Sequence, residues 1–412
     1  MKILFYNHTG TVSGAERVLS MILGGLDRNR FDLVVVCPEA SRMMELATGQ
    51  GVRTRGLRQL EARFTWRPDQ VISYLISFAQ VIRHARKLVV EEAPSAIHAN
   101  SIRAGLVMAA ATIGLKVPVV WHAHDILPRH PLSTAVRLLA AVTSQNHILA
   151  VSQAVATRFR GTLLRSFKRR VQVTVIHNAV DLERFHPDLA AREDMRLALN
   201  LQKKQPVVGI VGQLTPRKGQ LELIEGFAQV ARAIPDAILL IVGEALFNRD
   251  EEYALQLKST VASLGIADRV SFLGPRDDVP KLMQGLDVLV INSHEEPFAL
   301  TVLEGLASGT AVLATSVGGT PEMIRHGENG WLVNRRDHED LVSGMLTLLR
   351  DESLRRQLGD KGRRDAIARF SIERFMTEVL ALYRVVLDRQ QRQSSRSARG
   401  VEVGSIAGAS RP

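Results

Sequence analysis

The second half of the chain carries apolar runs that each close on glycine or a polar turn and then give way to helical spacing. These are Pro206-Val-Val-Gly-Ile-Val211 before Gly212, Ile238-Leu-Leu-Ile-Val242 before Gly243, Val270-Ser-Phe-Leu-Gly-Pro-Arg276, Val288-Leu-Val-Ile291 and Ala311-Val-Leu-Ala-Thr-Ser-Val-Gly-Gly319. Strand, turn and helix repeated in this way predict a parallel sheet. Such a sheet binds ligands off the carboxyl ends of its strands. The fold class is therefore α/β, and the residues to weigh are those that follow each strand.

Two carboxylates, Glu296 and Glu304, stand in Asn292-Ser-His-Glu-Glu-Pro-Phe-Ala-Leu-Thr-Val-Leu-Glu304, where a strand passes through a loop into a helix opening at Thr301-Val-Leu-Glu-Gly-Leu-Ala307. A carboxylate in the loop can face a ligand's hydroxyls, and one in the first turn of the helix can reach a ribose. Between them, backbone N–H groups around Phe298, Ala299, Leu300 and Thr301 carry the positive end of the macrodipole, a seat for a diphosphate. A plainer reading makes Glu304 a first-turn glutamate favoured by the dipole and Glu296 a solvated charge, and the spacing alone does not choose. Lys218, where a helix opens after Gly212-Gln-Leu-Thr-Pro-Arg-Lys-Gly219, would stand over the same diphosphate as a point charge. Gly243 closes another strand, and every one of these candidates falls at a strand end, which favours a nucleotide-sugar site.

The first half has its own strand-end residues. Asn7-His-Thr-Gly-Thr-Val-Ser-Gly-Ala-Glu16 follows a strand over Met1–Tyr6 and precedes a helix over Glu16–Leu26. Gly10 and Gly14 permit close backbone approach to a ligand, the alternative being a flexible turn. The G-x-G-x-x-G spacing is absent, so this is not the dinucleotide fingerprint. Val117-Pro-Val-Val-Trp-His-Ala-His-Asp125 is a strand ending in two histidines and an aspartate, with His122 and His124 on one face by strand parity. A metal there needs a third ligand that nothing in the sequence supplies. His98, in Ala96-Ile-His-Ala-Asn100, is a similar strand-end residue.

Taken together the chain resembles a retaining glycosyltransferase of family 4 with the two-domain GT-B fold. The likeness is carried by Ser13-Gly-Ala-Glu-Arg17, Val175-Ile-His-Asn-Ala-Val-Asp-Leu-Glu-Arg-Phe185, Gly212 to Gly219, Glu296 to Glu304, Glu322-Met-Ile324, Gly327-Glu-Asn-Gly330 and Trp331-Leu-Val333. It implies two Rossmann-like domains facing across a cleft, with the C-terminal helix packing back on the first domain. It also implies that Glu296 contacts the donor sugar's hydroxyls, Glu304 the ribose and Lys218 the diphosphate. The loop holding Gly14 would face that diphosphate, and His124 and Asp125 would line the cleft, with His98 also on the acceptor side. His124, Glu296 and Lys218 are the candidate catalytic residues. The donor-binding set is Gly14, Gln213, Arg217, Lys218, Gly243, Arg276 beside the nucleobase, Glu296, Phe298, Ala299, Leu300, Thr301 and Glu304. Two positions depart from the family pattern. Gln213 stands where arginine is frequent, leaving Arg217 as a substitute, and Ala299 stands where glycine is common. The implied reaction moves a sugar from a nucleoside diphosphate sugar to an acceptor hydroxyl with retention. No carboxylate is placed as a covalent nucleophile, so the leaving phosphate would assist deprotonation of the acceptor. No metal or other cofactor is required, since Asp277-Asp278 reads as a turn.

At 412 residues, 46% of them apolar, two domains are expected. Their bounds are 1–185 for an acceptor-side domain and 186–370 for a donor domain, joined by a polar linker near Phe185–Gln205. A helix over 371–390 would return to the first domain, and 391–412 would form a disordered basic tail. Residues 1–185 hold 24 Lys+Arg against 12 Asp+Glu, a balance of +12, while the rest hold 29 against 30 within a net charge of +11. This points to an acidic partner for the first domain alone. Arg53, Arg55, Arg58, Arg63 and Arg67 precede the amphipathic Val71-Ile-Ser-Tyr-Leu-Ile-Ser-Phe-Ala-Gln-Val-Ile82, and Arg83, Arg86 and Lys87 follow it. Such a helix either lies on an anionic membrane surface or packs on a core with solvated arginines. No apolar run approaches the roughly 20 residues that span a bilayer, and Met1–Tyr6 is too short and too soon polar for a signal peptide. Cys37 alone, in an apolar strand, reads as a buried thiol suited to a reducing cytosol.

The expected setting is the cytoplasm, peripheral at the inner face of the membrane. The expected partners are a nucleotide sugar and a saccharide or lipid-linked acceptor, with a small soluble acceptor as the alternative. Nucleic acid is not expected, because no binding motif or aromatic interleaving accompanies the charge. An epimerase, a phosphorylase or a non-catalytic sugar-nucleotide binder would share the architecture, and product analysis separates them.

Overall fold

The computed structural model describes residues 1–59, 68–142, 145–160, 171–246 and 250–406, without the side chains of 68–71, 131–132, 142 and 390–406. The chain divides into two units, Met1–His177 with Phe375–Pro412, and Asn178–Arg374. The boundary thus falls before Phe185 and not after it.

The first unit holds β1 (Lys2–Tyr6), β2 (Asp32–Cys37), β3 (Arg53–Gly56), β4 (Ala96–Ala99), β5 (Val119–Ala123), β6 (Asn146–Ala150) and β7 (Gln172–Val175) in one parallel sheet, ordered β3-β2-β1-β4-β5-β6-β7. The second holds β8 (Val207–Val211), β9 (Ile238–Val242), β10 (Val270–Gly274), β11 (Val288–Ile291), β12 (Ala311–Thr315) and β13 (Trp331–Val333), also parallel, ordered β10-β9-β8-β11-β12-β13. These strands read as unbroken apolar runs because helices cover both faces, and β9, β11 and β12 are buried along their whole length. In each sheet the chain winds outward from its first strand and then returns to that strand's other side. The pairs β1/β4 and β8/β11 are therefore switch points, where the loops leaving the carboxyl ends diverge and open a crevice.

The stretch Phe185–Gln205 is not a linker. It contains the helix Leu189–Ala198, capped by Asp188, whose Oδ1 accepts from the Ala191 N–H at 3.0 Å. Its arginines are internal. Arg192 donates to the Gln284 and Leu286 carbonyls at 2.7 and 2.8 Å and to Asp287 at 2.6 Å, and buried Arg196 donates to the Gly285 carbonyl at 2.9 Å. These are carbonyls that the end of the helix Val279–Gly285 leaves without intrahelical partners. Polarity read as a linker therefore serves a buried junction.

The final helix runs Ile372–Ile406, so residues 391–406 continue it, while 407–412 lie outside the described residues. Glutamine and arginine favour helix, and no proline stands before Pro412 to stop it. From Phe375 on this helix belongs to the first unit, burying Phe375, Val379, Leu382 and Tyr383. Met376 closes on Gly25 so tightly that a Cβ there would meet its Cγ at 2.8 Å.

The amphipathic segment lies in the helix Pro68–Glu92, and its two readings divide along its length. Val81, Ala85 and Val89 are buried, whereas Ile72, Leu75 and Ile76 are 59, 63 and 55% exposed. Arg53 and Arg55 are paired with Glu92 and Glu91 at 2.9 and 3.0 Å, and Arg63 and Arg67 lie outside the described residues. Among the described residues no helix is long and apolar enough to cross a membrane.

Candidate functional site

In the second unit the loops after β8 and β11 are bound to each other. β8 ends at Gly212 and β9 at Gly243, both at positive φ, and a Cβ on Gly243 would lie 1.9 Å from the Gly212 carbonyl oxygen. Only glycine permits that crossing. The chain then makes a 3-10 turn, Pro216–Lys218, and enters the helix Gln220–Ala233 through Gly219 at φ +66°. Asn292, just past β11, donates its Nδ2–H to the Gly219 carbonyl at 2.9 Å, and the His294 N–H donates to the Arg217 carbonyl at 2.8 Å. This tie brings Lys218 Nζ to 2.6 Å from Glu296 Oε2. Ser293 Oγ donates to the same oxygen at 3.1 Å, and the Gly319 N–H holds the Glu296 carbonyl at 2.9 Å. The adjoining pocket is lined by Gly212, Lys218, Gln220, Ser293, Ala299 and Thr301, among others.

Of the remaining donor-side candidates, Ala299 and Thr301 line the same pocket as Lys218, and several others need correction. The helix is Leu300–Ala307, with Ala299 as its extended N-cap, so Glu304 is the fifth helical residue and lies beyond the first turn. It is buried, and the helix starts earlier than the apolar run suggests because Ala299 is the last extended residue after Pro297. Phe298 is buried against Phe370, with ring centroids 6.0 Å apart. Arg217, the expected substitute for a cation at position 213, is tied to the neighbouring loop. Its Nη1 donates to the Glu295 carbonyl at 3.0 Å and so braces the loop that carries Glu296. Gln213 Nε2 donates to Asp250 Oδ2 at 2.9 Å, a buried carboxylate that the sequence did not mark. Arg276 is bidentate to Asp278 at 2.7 and 2.5 Å, which holds the Asp278 carboxyl below its usual range.

In the first unit, candidates gather at the ends of β1, β4 and β5. The helix predicted from Glu16 is Gly14–Gly25, because Glu16 Oε2 accepts from the Ser13 N–H at 2.9 Å and Oγ at 2.6 Å and so fixes Ser13 as the cap. Gly14 is therefore a first-turn residue, exposed, and not part of the loop. Asn100, after β4, donates to Asn7 Oδ1, after β1, at 2.9 Å across the switch point. His124, partly exposed, places Nε2 3.2 Å from Asn100 Oδ1. The His122 ring lies 4.0 Å from the His124 ring, centroid to centroid.

His98, read as an acceptor-side residue, is fully buried between His122 at 3.1 Å and the Tyr383 hydroxyl at 2.8 Å, so it is closed off from solvent in this structure. Burial pushes the His98 and His124 imidazoles down to about 3 and His122 well below its ordinary value, which keeps all three neutral at neutral pH. Asp125 is exposed. Tyr383 gave no sequence signal, since it sits in the apolar face of the last helix. Asn7 and Asn100 did give one, as each is the first polar residue after a buried strand.

The family model Glycosyltransferase Family 4 matches residues 12–184, and Glycosyl transferases group 1 matches residues 191–365. The chain is 27% identical over 289 residues to N-acetyl-alpha-D-glucosaminyl L-malate synthase of Bacillus anthracis, covering 68% of this chain and 71% of that protein. It is 30% identical over 279 residues to the lipopolysaccharide core biosynthesis mannosyltransferase LpcC of Rhizobium leguminosarum bv. viciae, covering 65% and 78%. The crystal structure of Anabaena HepE in complex with UDP-glucose matches with a TM-score of 0.78 at 27% identity, over 93% of this chain and all of that one. Because the two matched models lie one in each unit, over residues 12–184 and 191–365, with the gap between them close to the division of the units, the chain belongs to glycosyltransferase family 4 and has the GT-B fold.

Proposed function

We propose that the protein transfers a sugar from a nucleoside diphosphate sugar to an acceptor hydroxyl with retention of anomeric configuration. The observation that carries this reading is the Lys218–Glu296 pair at 2.6 Å beside the N-terminus of the helix Leu300–Ala307. It supplies a cation for a diphosphate and a carboxylate for sugar hydroxyls, next to outward N–H groups. Negative charge grows on the leaving diphosphate, where Lys218 and those N–H groups stabilise it. Glu304 takes the ribose, and Arg276 borders the base. Glu296 is held by Lys218 and Ser293, which suits a sugar-binding role better than that of a free nucleophile. Retention then proceeds without a glycosyl-enzyme, and the leaving phosphate accepts the acceptor's proton. No metal is assigned a role. On the first unit, His124 and Asp125 serve the acceptor side.

The acceptor in this reading is lipid-linked or a polysaccharide, met at the cytoplasmic face of the membrane. Exposed Ile72, Leu75 and Ile76, followed along the helix by Arg83 and Lys87, favour an anionic lipid surface. The relatives divide on this point, one named for lipopolysaccharide core biosynthesis and the other for L-malate. A small soluble acceptor is therefore the second reading. The test is nucleotide release from a panel of UDP-, GDP- and ADP-sugars by the wild type and Lys218→Ala. Slow release from one donor, lost in the variant, supports the donor site. Release that survives Lys218→Ala removes Lys218 from it.

A further inference from the structure

The hydrogen bonds around His124 fix where its proton sits, and they reach it by two routes. Asn7 Nδ2 donates to the Thr9 carbonyl at 2.7 Å, which leaves Asn7 Oδ1 to accept from Asn100 Nδ2 at 2.9 Å. Asn100 Nδ2 also donates to the Ala15 carbonyl at 3.3 Å, so Asn100 Oδ1 can only accept. His124 Nε2, 3.2 Å away, must then carry the hydrogen, and Nδ1 keeps a lone pair.

The second route starts 285 residues from β4 in sequence. The Tyr383 hydroxyl lies 2.8 Å from His98 Nδ1, and His98 Nε2 lies 3.1 Å from His122 Nδ1. If His122 Nδ1 held the hydrogen, the chain would end on Tyr383 as acceptor and leave its buried O–H unspent, with His122 Nε2 also unpartnered. Run from Tyr383 through His98 to His122, it leaves only the His122 Nε2–H without a partner. Each direction leaves one buried donor unmade, the Tyr383 O–H or the His122 Nε2–H, and the first leaves the His122 Nε2 lone pair unmet as well, which favours the second direction. The His122 ring then lies against His124 with its plane inclined by 37°, and so fixes the plane in which His124 offers Nδ1.

We propose that Asn100 is a positioning residue that holds His124 as the Nε2–H tautomer with Nδ1 open, and that Tyr383, through His98, orients the His122 ring packed against it, so that the ligand group recognised there is a hydroxyl donating to Nδ1. This rests on His124 being a ligand contact, as in the reading above. A sugar or an acceptor hydroxyl can donate to Nδ1, whereas a phosphate, carboxylate or carbonyl oxygen, which only accepts, meets a lone pair and is turned away.

Nitrogen-15 NMR of the imidazoles in the full-length protein reads the tautomer directly, with His124 assigned by the signals lost in His124→Gln. The wild type should show His124 only as Nε2–H. Asn100→Asp keeps an acceptor and should keep that tautomer, while Asn100→Leu should give a mixture, as should His98 in Tyr383→Phe. Of the titratable groups nearby, His122 packs against His124, His98 and Tyr383 stand in turn behind His122, and Asp125 is its chain neighbour, so a carboxylate at 100 adds a new charge at its edge. That charge favours the imidazolium and raises its pKa. Nucleotide release by Asn100→Asp should therefore fall as the pH drops from 7 to 5, whereas the wild type shows no such fall. The donor is the UDP-, GDP- or ADP-sugar that the panel selects. Asn100→Leu should lose about tenfold in kcat/KM. An Nδ1–H signal for His124 in the wild type overturns the proposal. Tautomers as stated, with Asn100→Leu and Asn100→Asp active as wild type at every pH, would overturn the ligand contact of His124 itself.

Discussion

Replacing Glu296 by glutamine should tighten the binding of the free nucleoside diphosphate, with UDP as the probe, while it cripples transfer. The two effects have opposite signs because Glu296 plays against the nucleotide until a sugar is present. Lys218 Nζ sits 2.6 Å from Glu296 Oε2, with side chains 22% and 7% exposed. A hydrogen bond to a charged group is worth about 1.5–3 kcal/mol when shielded. Screening at the lysine end lowers that toward about 1 kcal/mol. A diphosphate entering the pocket must draw Lys218 from this partner. Glutamine, with its amide oxygen in place of Oε2, keeps the shape and the bond from Ser293 Oγ but removes the negative charge that holds the ammonium, a gain of about 1 kcal/mol or roughly fivefold in Kd. With the sugar attached, the lost carboxylate costs about 1.5–3 kcal/mol, which is roughly 10- to 150-fold in kcat/KM. Calorimetric titration of UDP into both proteins at one ionic strength, with donor turnover measured beside it, reads both effects. UDP binding weaker in Glu296→Gln would show that Glu296 supports the nucleotide, and unchanged turnover would show that it never meets the sugar. Either result refutes the reasoning.

Gly243→Ala forces a Cβ to within 1.9 Å of the Gly212 carbonyl, so the loops must part, at a cost above about 3 kcal/mol. Thermal melting and UDP affinity should fall together, and a variant that melts like the wild type would mean that the crossing is loose. Arg196→Met strips the Gly285, Gln202 and Gln205 carbonyls of a donor and leaves Asp287 to Arg192, for about 3 kcal/mol by urea unfolding. A loss below about 1 kcal/mol would show water taking its place. Ile72→Glu with Leu75→Glu should leave stability within about 0.5 kcal/mol yet abolish co-sedimentation with anionic vesicles at low salt. Failure of the wild type to bind such vesicles removes the membrane reading.

The parts of this architecture that could be read from sequence are those encoded locally. An apolar run such as Ile238–Val242 followed by glycine declares a buried parallel strand, because no solvated element tolerates it. That Glu296 and Lys218 come together was legible since each lies in the loop after a strand, and the strands β8 and β11 are neighbours at a switch point. What escaped depends on partners distant in sequence. Arg192 and Arg196 look like linker charges until the Gln284 to Leu286 carbonyls, roughly 90 residues on, are seen to need donors. Glu16 looks like an ordinary helical acid, yet its carboxylate moved the helix start to Gly14. His98 carries no mark that distinguishes a surface histidine from one gripped by Tyr383. Asp250 and Gln213 are likewise unremarkable singly and meaningful only as a pair.

The division of the chain has a consequence for its biosynthesis. Asn178–Arg374 is continuous, so that unit has all its residues as soon as they leave the ribosome. The other unit is split, and the side chains Phe375, Val379, Leu382 and Tyr383 that complete its core come last. At roughly 5–20 residues per second, Tyr383 follows His177 by about 10–40 s. Through that interval the strands β1 to β7 wait with one apolar surface uncovered and His98 without its hydroxyl donor. The unit that begins first is therefore finished last, and the nascent chain offers a chaperone its longest opportunity on the half that is read first.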